Sequence, residues 1–310
     1  MYQGSTFRRA ISISLATLAC LALALSGCAK PNAGAGVTRI TLTGADLEAH
    51  GQLVKDGDAA FALRADRAQL ELAIAKYTEA VAKKDDDYQT YEKLARALYL
   101  LADGHLFFER ATKETEFLAT YERGYGAALR GLQALSPDVE KKMRLGIDVG
   151  DTATAVGKDG VGLMYWYATN LGKWANAHDD ISVVLKYKDR VVKLMTRVTD
   201  LDNSFFYGAP DRYWGAFYAI APAFAGGDLD KSYKHFQASL KAAPTYPATY
   251  TLIAENYATK KLDEALFKEL VQKVLDFPAD VMPGMEAETA VEKKKAEQLR
   301  KRYESGDIIF

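Results

Sequence analysis

The chain has 310 residues, of which 40 are Lys or Arg and 41 are Asp or Glu, for a formal charge of −1. So even a balance creates no field to draw a nucleic acid, and two cysteines are too few for a disulfide framework. With 49% hydrophobic residues and only 8 prolines, the chain has enough apolar surface for a large core and the composition of a helical protein.

At the start, Arg8 and Arg9 precede an uncharged apolar run from Ala10 to Leu25. This is the pattern of a secretory signal, and the run is too short for a comfortable transmembrane helix. Leu25-Ser26-Gly27-Cys28, directly behind it, resembles the bacterial lipobox, where the signal is cut before a cysteine whose thiol carries a diacylglyceryl group. The competing reading is an ordinary signal that leaves Cys28 in the mature chain by chance. Each buried lipid CH₂ contributes about 0.8 kcal/mol, so several acyl chains tether a protein to a bilayer without spanning it.

Residues 1–27 are therefore expected to be removed, and residues 28–40 to form the acylated cysteine and a flexible tether containing Pro31, Gly34 and Gly36. Cys20 leaves with the signal, so the processed chain has no internal disulfide. Its formal charge becomes −3, 38 basic against 41 acidic residues. Ala29 stands where an inner-membrane retention signal usually has Asp, which points to the outer membrane, with the body on the periplasmic side or at the cell surface.

Residues 41–310 read as one all-α domain, a tetratricopeptide-like helical-repeat superhelix of about a dozen helices. In chain order the periodicity predicts helices over 44–65, 68–83, 88–106, 110–134, 138–155, 160–175, 179–199, 211–224, 228–242, 246–259, 263–276 and 284–303. Ala73, Tyr77 and Ala80 fall at second-helix positions of a repeat, with Asp85 where proline is usual, and Tyr91, Leu94, Ala95 and Leu98 at first-helix positions of the next. Ser232, Phe236, Ser239 and Pro244, then Tyr250, Ile253, Ala254 and Tyr257, repeat that grammar. In such a unit the small residues let paired helices approach, and the aromatic residues fill the wedge between pairs. Ser136-Pro137-Asp138 and Gly226-Gly227-Asp228 supply caps and stops. Several central segments fit no repeat register.

Catalytic and metal-binding constellations are missing from the pattern. The four histidines, His50, His105, His178 and His235, form no pair at helical spacing. His105 with Glu109 is an i,i+4 couple more often solvated or capped than ligating. His178-Asp179-Asp180 suits a helix start, where acids complement the dipole. Gly157-Lys158-Asp159-Gly160-Val161-Gly162 has no preceding strand and lacks the Gly-Lys-Ser/Thr ending of a phosphate loop, so it reads as a turn between helices. No catalytic residue, cofactor or metal is expected.

The central blocks carry a resemblance. Gly162-Leu163-Met164-Tyr165-Trp166-Tyr167-Ala168 is followed by Asn170-Leu171-Gly172-Lys173-Trp174, then by Leu201-Asp202 with Tyr207-Gly208-Ala209-Pro210. Gly226-Gly227-Asp228 with His235-Phe236 comes next, then Asn256-Tyr257-Ala258, and the chain closes with Lys295-Ala296, Leu299 and Gly306-Asp307-Ile308-Ile309-Phe310. In this order, over roughly residues 40–310, they resemble the TatT family, the tetratricopeptide-like T components of tripartite ATP-independent periplasmic (TRAP) transporters. The resemblance implies a lipoprotein with a superhelical body that assembles as a homotrimer. It also implies binding to the periplasmic substrate-binding P component and help in delivering solutes such as organic acids or apolar ligands. It implies no enzymatic activity.

Aromatic residues crowd the middle of the chain. At helical spacing they are usually core, yet Trp and Tyr also suit grooves because their polar ends stay hydrated. Tyr165, Trp166, Trp174, Tyr207, Trp214 and Tyr218 are the candidates for a ligand or partner groove, with Arg212 as an anchor for a carboxylate. Two function classes remain: a lipid-anchored scaffold of a TRAP system, and a generic envelope adaptor that offers a concave surface to extended peptides in outer-membrane assembly.

Overall fold

The computed structural model describes residues 36–178 and 180–310. The signal, Cys28 and most of the tether expected from the sequence lie outside the described residues. Among these, counting 247–261 as one helix, there are twelve α-helices and no strand. They are α1 (Gly44–Ala62), α2 (Arg67–Lys83), α3 (Tyr88–Gly104), α4 (Arg110–Leu135), α5 (Pro137–Arg144), α6 (Val161–Asn176), α7 (Ile181–Leu201), α8 (Phe205–Ile220), α9 (Leu229–Ala242), α10 (247–261), α11 (Glu264–Asp276) and α12 (Glu286–Glu304). The all-α expectation holds.

Local chemistry starts these helices. Asp66, Asp87, Asp180, Asp228 and Asp263 each cap the next helix by accepting a backbone N–H from its first turn, and Ser136 does so ahead of Pro137. In α2 the buried residues Leu70, Ala73, Ile74, Tyr77 and Val81 follow the helical period and define one inward face. α6 differs: Val161 to Ala168 are all buried, because α3, α4 and α7 pack around it.

The repeat grammar is visible in the pairs. α1 meets α2 at Gly57, where a Cβ would stand 2.6 Å from the Tyr77 ring; the Tyr77 hydroxyl donates to Asp58 at 2.8 Å. α8 meets α9 in the same way at Gly215, against Phe236, and Ser232 donates to the Gly215 carbonyl at 2.7 Å. Asp85, at the position where repeats carry proline, accepts from the Tyr91 hydroxyl, the Thr38 amide and Arg130. The acid thus ties the turn down by hydrogen bonds where proline would do so by stiffness.

Three predicted spans change. The helix expected over 138–155 ends at Arg144; Gly146 turns left-handed at φ 82°, and a 3₁₀ turn, Val149–Ala155, follows. Gly150 there comes so close to α7 that a Cβ would stand 3.0 Å from the Arg190 Cα. The helix expected over 211–224 begins earlier, through a left-handed turn at Phe206, Tyr207 and Gly208, and stops at Ile220 because Ala221 is extended ahead of Pro222. The helix expected over 246–259 widens into a π segment at Ile253–Ala258.

α12 returns to the beginning of the chain. Glu288 pairs with Arg64 at 2.7 Å and with Arg96 at 3.2 Å, and Lys295 with Asp103 at 2.5 Å. Val291 packs where a Cβ on Gly104 would stand. The last helix thereby covers the polar face of α3, which an open solenoid would leave to solvent.

Candidate functional site

Glu92, Arg96, Tyr99 and Asp103 of α3 recur every three or four residues and share one face, as do Gly162, Tyr165, Trp166, Thr169 and Lys173 of α6. The two faces meet. The Tyr99 and Trp166 rings lie 5.5 Å apart, and Lys173 pairs with Asp103 at 2.8 Å. At Gly162 the Glu92 carboxylate lies in the space that a Cβ would take, 2.0 Å away. Burial raises the Glu92 carboxyl against the pull of Arg96. Burial would also raise Asp103, but Lys173 and Lys295 hold it well below the usual carboxylate range.

Onto this interior the first turn of α8 delivers a cluster of rings. Phe206 lies 5.3 Å from Trp166 and beneath the Arg96 guanidinium, 5.0 Å from its carbon. Phe205 lies 5.3 Å from Tyr165, and Tyr207 stacks on Tyr246 at 5.4 Å with 17° between planes. Phe206 and Tyr207 hold φ of 43° and 61°, a conformation that costs L-residues about 1–2 kcal/mol each. Arg212 clamps it by donating Nη1–H to the Tyr207 carbonyl at 3.0 Å and Nη2–H to the Phe206 carbonyl at 3.3 Å.

Arg212 is 5% exposed. Among the described residues no carboxylate stands within 4 Å of its guanidinium. Its company is the Tyr246 ring, those two carbonyls and the Tyr165 hydroxyl. Burial raises that hydroxyl, and the hydrogen-bonded Arg212 works against the rise. A buried cation among aromatic rings and carbonyls, with no acid beside it, keeps its full charge.

The seven residues singled out from the sequence fall into three places. Tyr165, Trp166 and Arg212 meet in this interior cluster, with Tyr207 at its exposed edge. Trp214 and Tyr218 line a separate cavity of about 530 Å³ between α7, α8 and α9. The reason is angular: Trp214 is two residues from Arg212, so it points to the opposite side of α8. Trp174 stands apart near the end of α6, with Tyr125 at 6.0 Å, Tyr187 at 5.6 Å and His178 at 4.2 Å. Sequence reasoning missed Arg96, Tyr99 and Tyr246. The i,i+3 and i,i+4 spacing of polar and aromatic residues on α3 was the available signal for the first two; Tyr246 carried none.

Of the His105–Glu109 couple, Glu109 pairs with Arg67 at 3.1 Å and with Lys113 at 2.6 Å. Among the described residues no group of three or more His, Cys, Asp and Glu is placed to hold a metal ion, and no helix is long and apolar enough to cross a membrane. The family model for the TRAP transporter T-component matches residues 76–305. No curated protein matches the chain.

Proposed function

Because the chain belongs to the TRAP transporter T-component family, we propose that it is a lipid-anchored accessory scaffold that holds the periplasmic substrate-binding P component and passes a small solute through its interior cluster. In this reading Cys28 carries the lipid, the body stands on the periplasmic side of the outer membrane, and the protein assembles as a homotrimer. It performs no bond chemistry of its own; Arg212 pairs with the carboxylate of the solute, while Tyr165, Trp166, Tyr207 and Tyr246 bear on its apolar part.

The observation that carries the solute role is the buried Arg212 guanidinium without an acid partner, inside walls of aromatic rings. The covering of α3 by α12 weighs against the adaptor reading, since it closes that face of α3 to an extended peptide. The test is co-purification. Tagged protein drawn from the cell envelope should bring down a TRAP substrate-binding protein in stoichiometric amount; recovery of outer-membrane assembly factors in its place would favour the adaptor.

A further inference from the structure

We infer that the cavity between α7, α8 and α9 is a second binding site, distinct from the Arg212 cluster, for an amphipathic anion with a flat apolar body. Its volume of about 530 Å³ falls within the range of small-molecule sites. One wall is aromatic and set before any ligand arrives. The Trp214 indole N–H donates to the Thr199 hydroxyl at 2.9 Å, which itself donates to the Met195 carbonyl at 2.9 Å. Phe217 and Tyr218 pack on Trp214 at 5.6 and 5.9 Å, and Val192 and Thr196 of α7 face them across the space.

At the end closed by Gly226 stand two cations with loose partners. The Lys188 ammonium is 3.5 Å from the Ala225 carbonyl and 3.9 Å from Asp189. Lys231 is 3.5 Å from Asp228 and lies over the Tyr218 ring, 5.5 Å from its centre. The Asp189 side chain is turned to solvent, 82% exposed. Asp200, the other lining acid, stands twelve residues farther along α7, roughly 18 Å away at 1.5 Å per residue. Asp228 stays beside Lys231, so Lys188 is the chief partner for a ligand carboxylate, with Lys231 adding its field, while the ring of the ligand lies along Trp214 and Phe217.

His235 adds a directional group. Asp211, itself held by Asn203 at 2.8 Å, accepts from His235 Nδ1–H at 2.8 Å. That fixes the imidazole against Tyr218, 5.6 Å away and nearly parallel, and leaves Nε2 without a protein partner among the described residues. A ligand carrying a hydroxyl or amide on its ring would find an acceptor there. The site does not depend on the transporter reading.

The experiment titrates the full chain, purified in detergent, with 2-naphthoate and with its uncharged analogue 2-naphthylmethanol, reading tryptophan fluorescence and calorimetry. Saturable one-to-one binding of naphthoate is expected, at least tenfold tighter than the alcohol. It should weaken at least tenfold in the Lys188→Gln/Lys231→Gln double variant and in Phe217→Ala. The lysines are partly exposed, so the double variant keeps the fold, which circular dichroism verifies. Absence of saturable binding, equal affinity for the alcohol, or binding kept in full by the lysine variant and by Phe217→Ala would each overturn the proposal.

Discussion

The guanidinium carbon of Arg212 lies 4.2 Å from the centre of the Tyr246 ring, face-on and buried. A cation so placed gains from the ring quadrupole but keeps its full charge. Arg212→Met is therefore expected to weaken binding of a small carboxylate such as lactate at least tenfold in calorimetry. Arg212→Lys should keep only part of it, since an ammonium cannot present the planar fork. Losing the charged donors to the Phe206 and Tyr207 carbonyls should also cost about 1.5–3 kcal/mol of stability. Unaltered lactate binding by Arg212→Met would remove this residue from the solute path.

Leu262 ends α10 in the left-handed region at φ 54°, with 68% of its surface exposed. It has little packing to lose, and glycine adopts that conformation freely. Leu262→Gly should raise stability by about 1 kcal/mol, seen as a higher urea midpoint at unchanged slope. Tyr207→Gly, by contrast, relieves similar strain but gives up the stack on Tyr246, so its net effect should be near zero.

Asp103 joins α3 to α6 and α12 through Lys173 and Lys295. Its folded value is depressed, so the stabilisation it brings is complete above the usual carboxylate range and is lost as pH falls through and below that range. Asp103→Asn should cost about 3–5 kcal/mol near neutral pH, because two lysines lose their buried partner. The gap from the parent protein should hold from neutral pH down to the usual carboxylate range and narrow in denaturation series taken below it. A gap constant with pH would mean that the carboxylate charge is not what binds these helices.

Gly215→Ala should destabilise by about 1–3 kcal/mol. The added carbon would sit 2.6 Å from the Phe236 ring, which is 1% exposed and has nowhere to go. Combining it with Phe236→Leu should recover part of that loss, giving a favourable coupling energy in a double-mutant cycle.

Cys28→Ala should abolish the lipid mass increment seen by mass spectrometry of the mature protein and shift the chain from the membrane fraction to the soluble one. Retention of the variant in the membrane fraction would mean that another element anchors it.

Much of this was legible in the chain. Helix starts followed from Asp228 and Ser136-Pro137, and the repeat positions of Tyr77 and Phe236 from their spacing, because caps and helical periodicity are local; the glycines they pack on, Gly57 and Gly215, emerged only from the structure. The interior cluster was legible only in part. Arg212, Tyr165 and Trp166 belong to one crowded stretch, but Arg96 and Tyr246 join them from far away in the sequence, and no periodicity encodes such a meeting. The left-handed turn at Phe206 and Tyr207 was hidden as well, since aromatic residues rarely adopt it; Gly208 and Pro210 were its only local hints.

The return of α12 to Arg64, Arg96 and Asp103 fixes how many units the chain can hold. Ordinary helical repeats lengthen or shorten by whole modules with little harm, since each touches only its neighbours. Here an inserted helix pair would carry Glu288 and Lys295 away from their partners and strand the charges of α3. Evolution of this fold is thereby confined to exchanging side chains within a set length, and its unfolding should be a single event in which first and last helices part together.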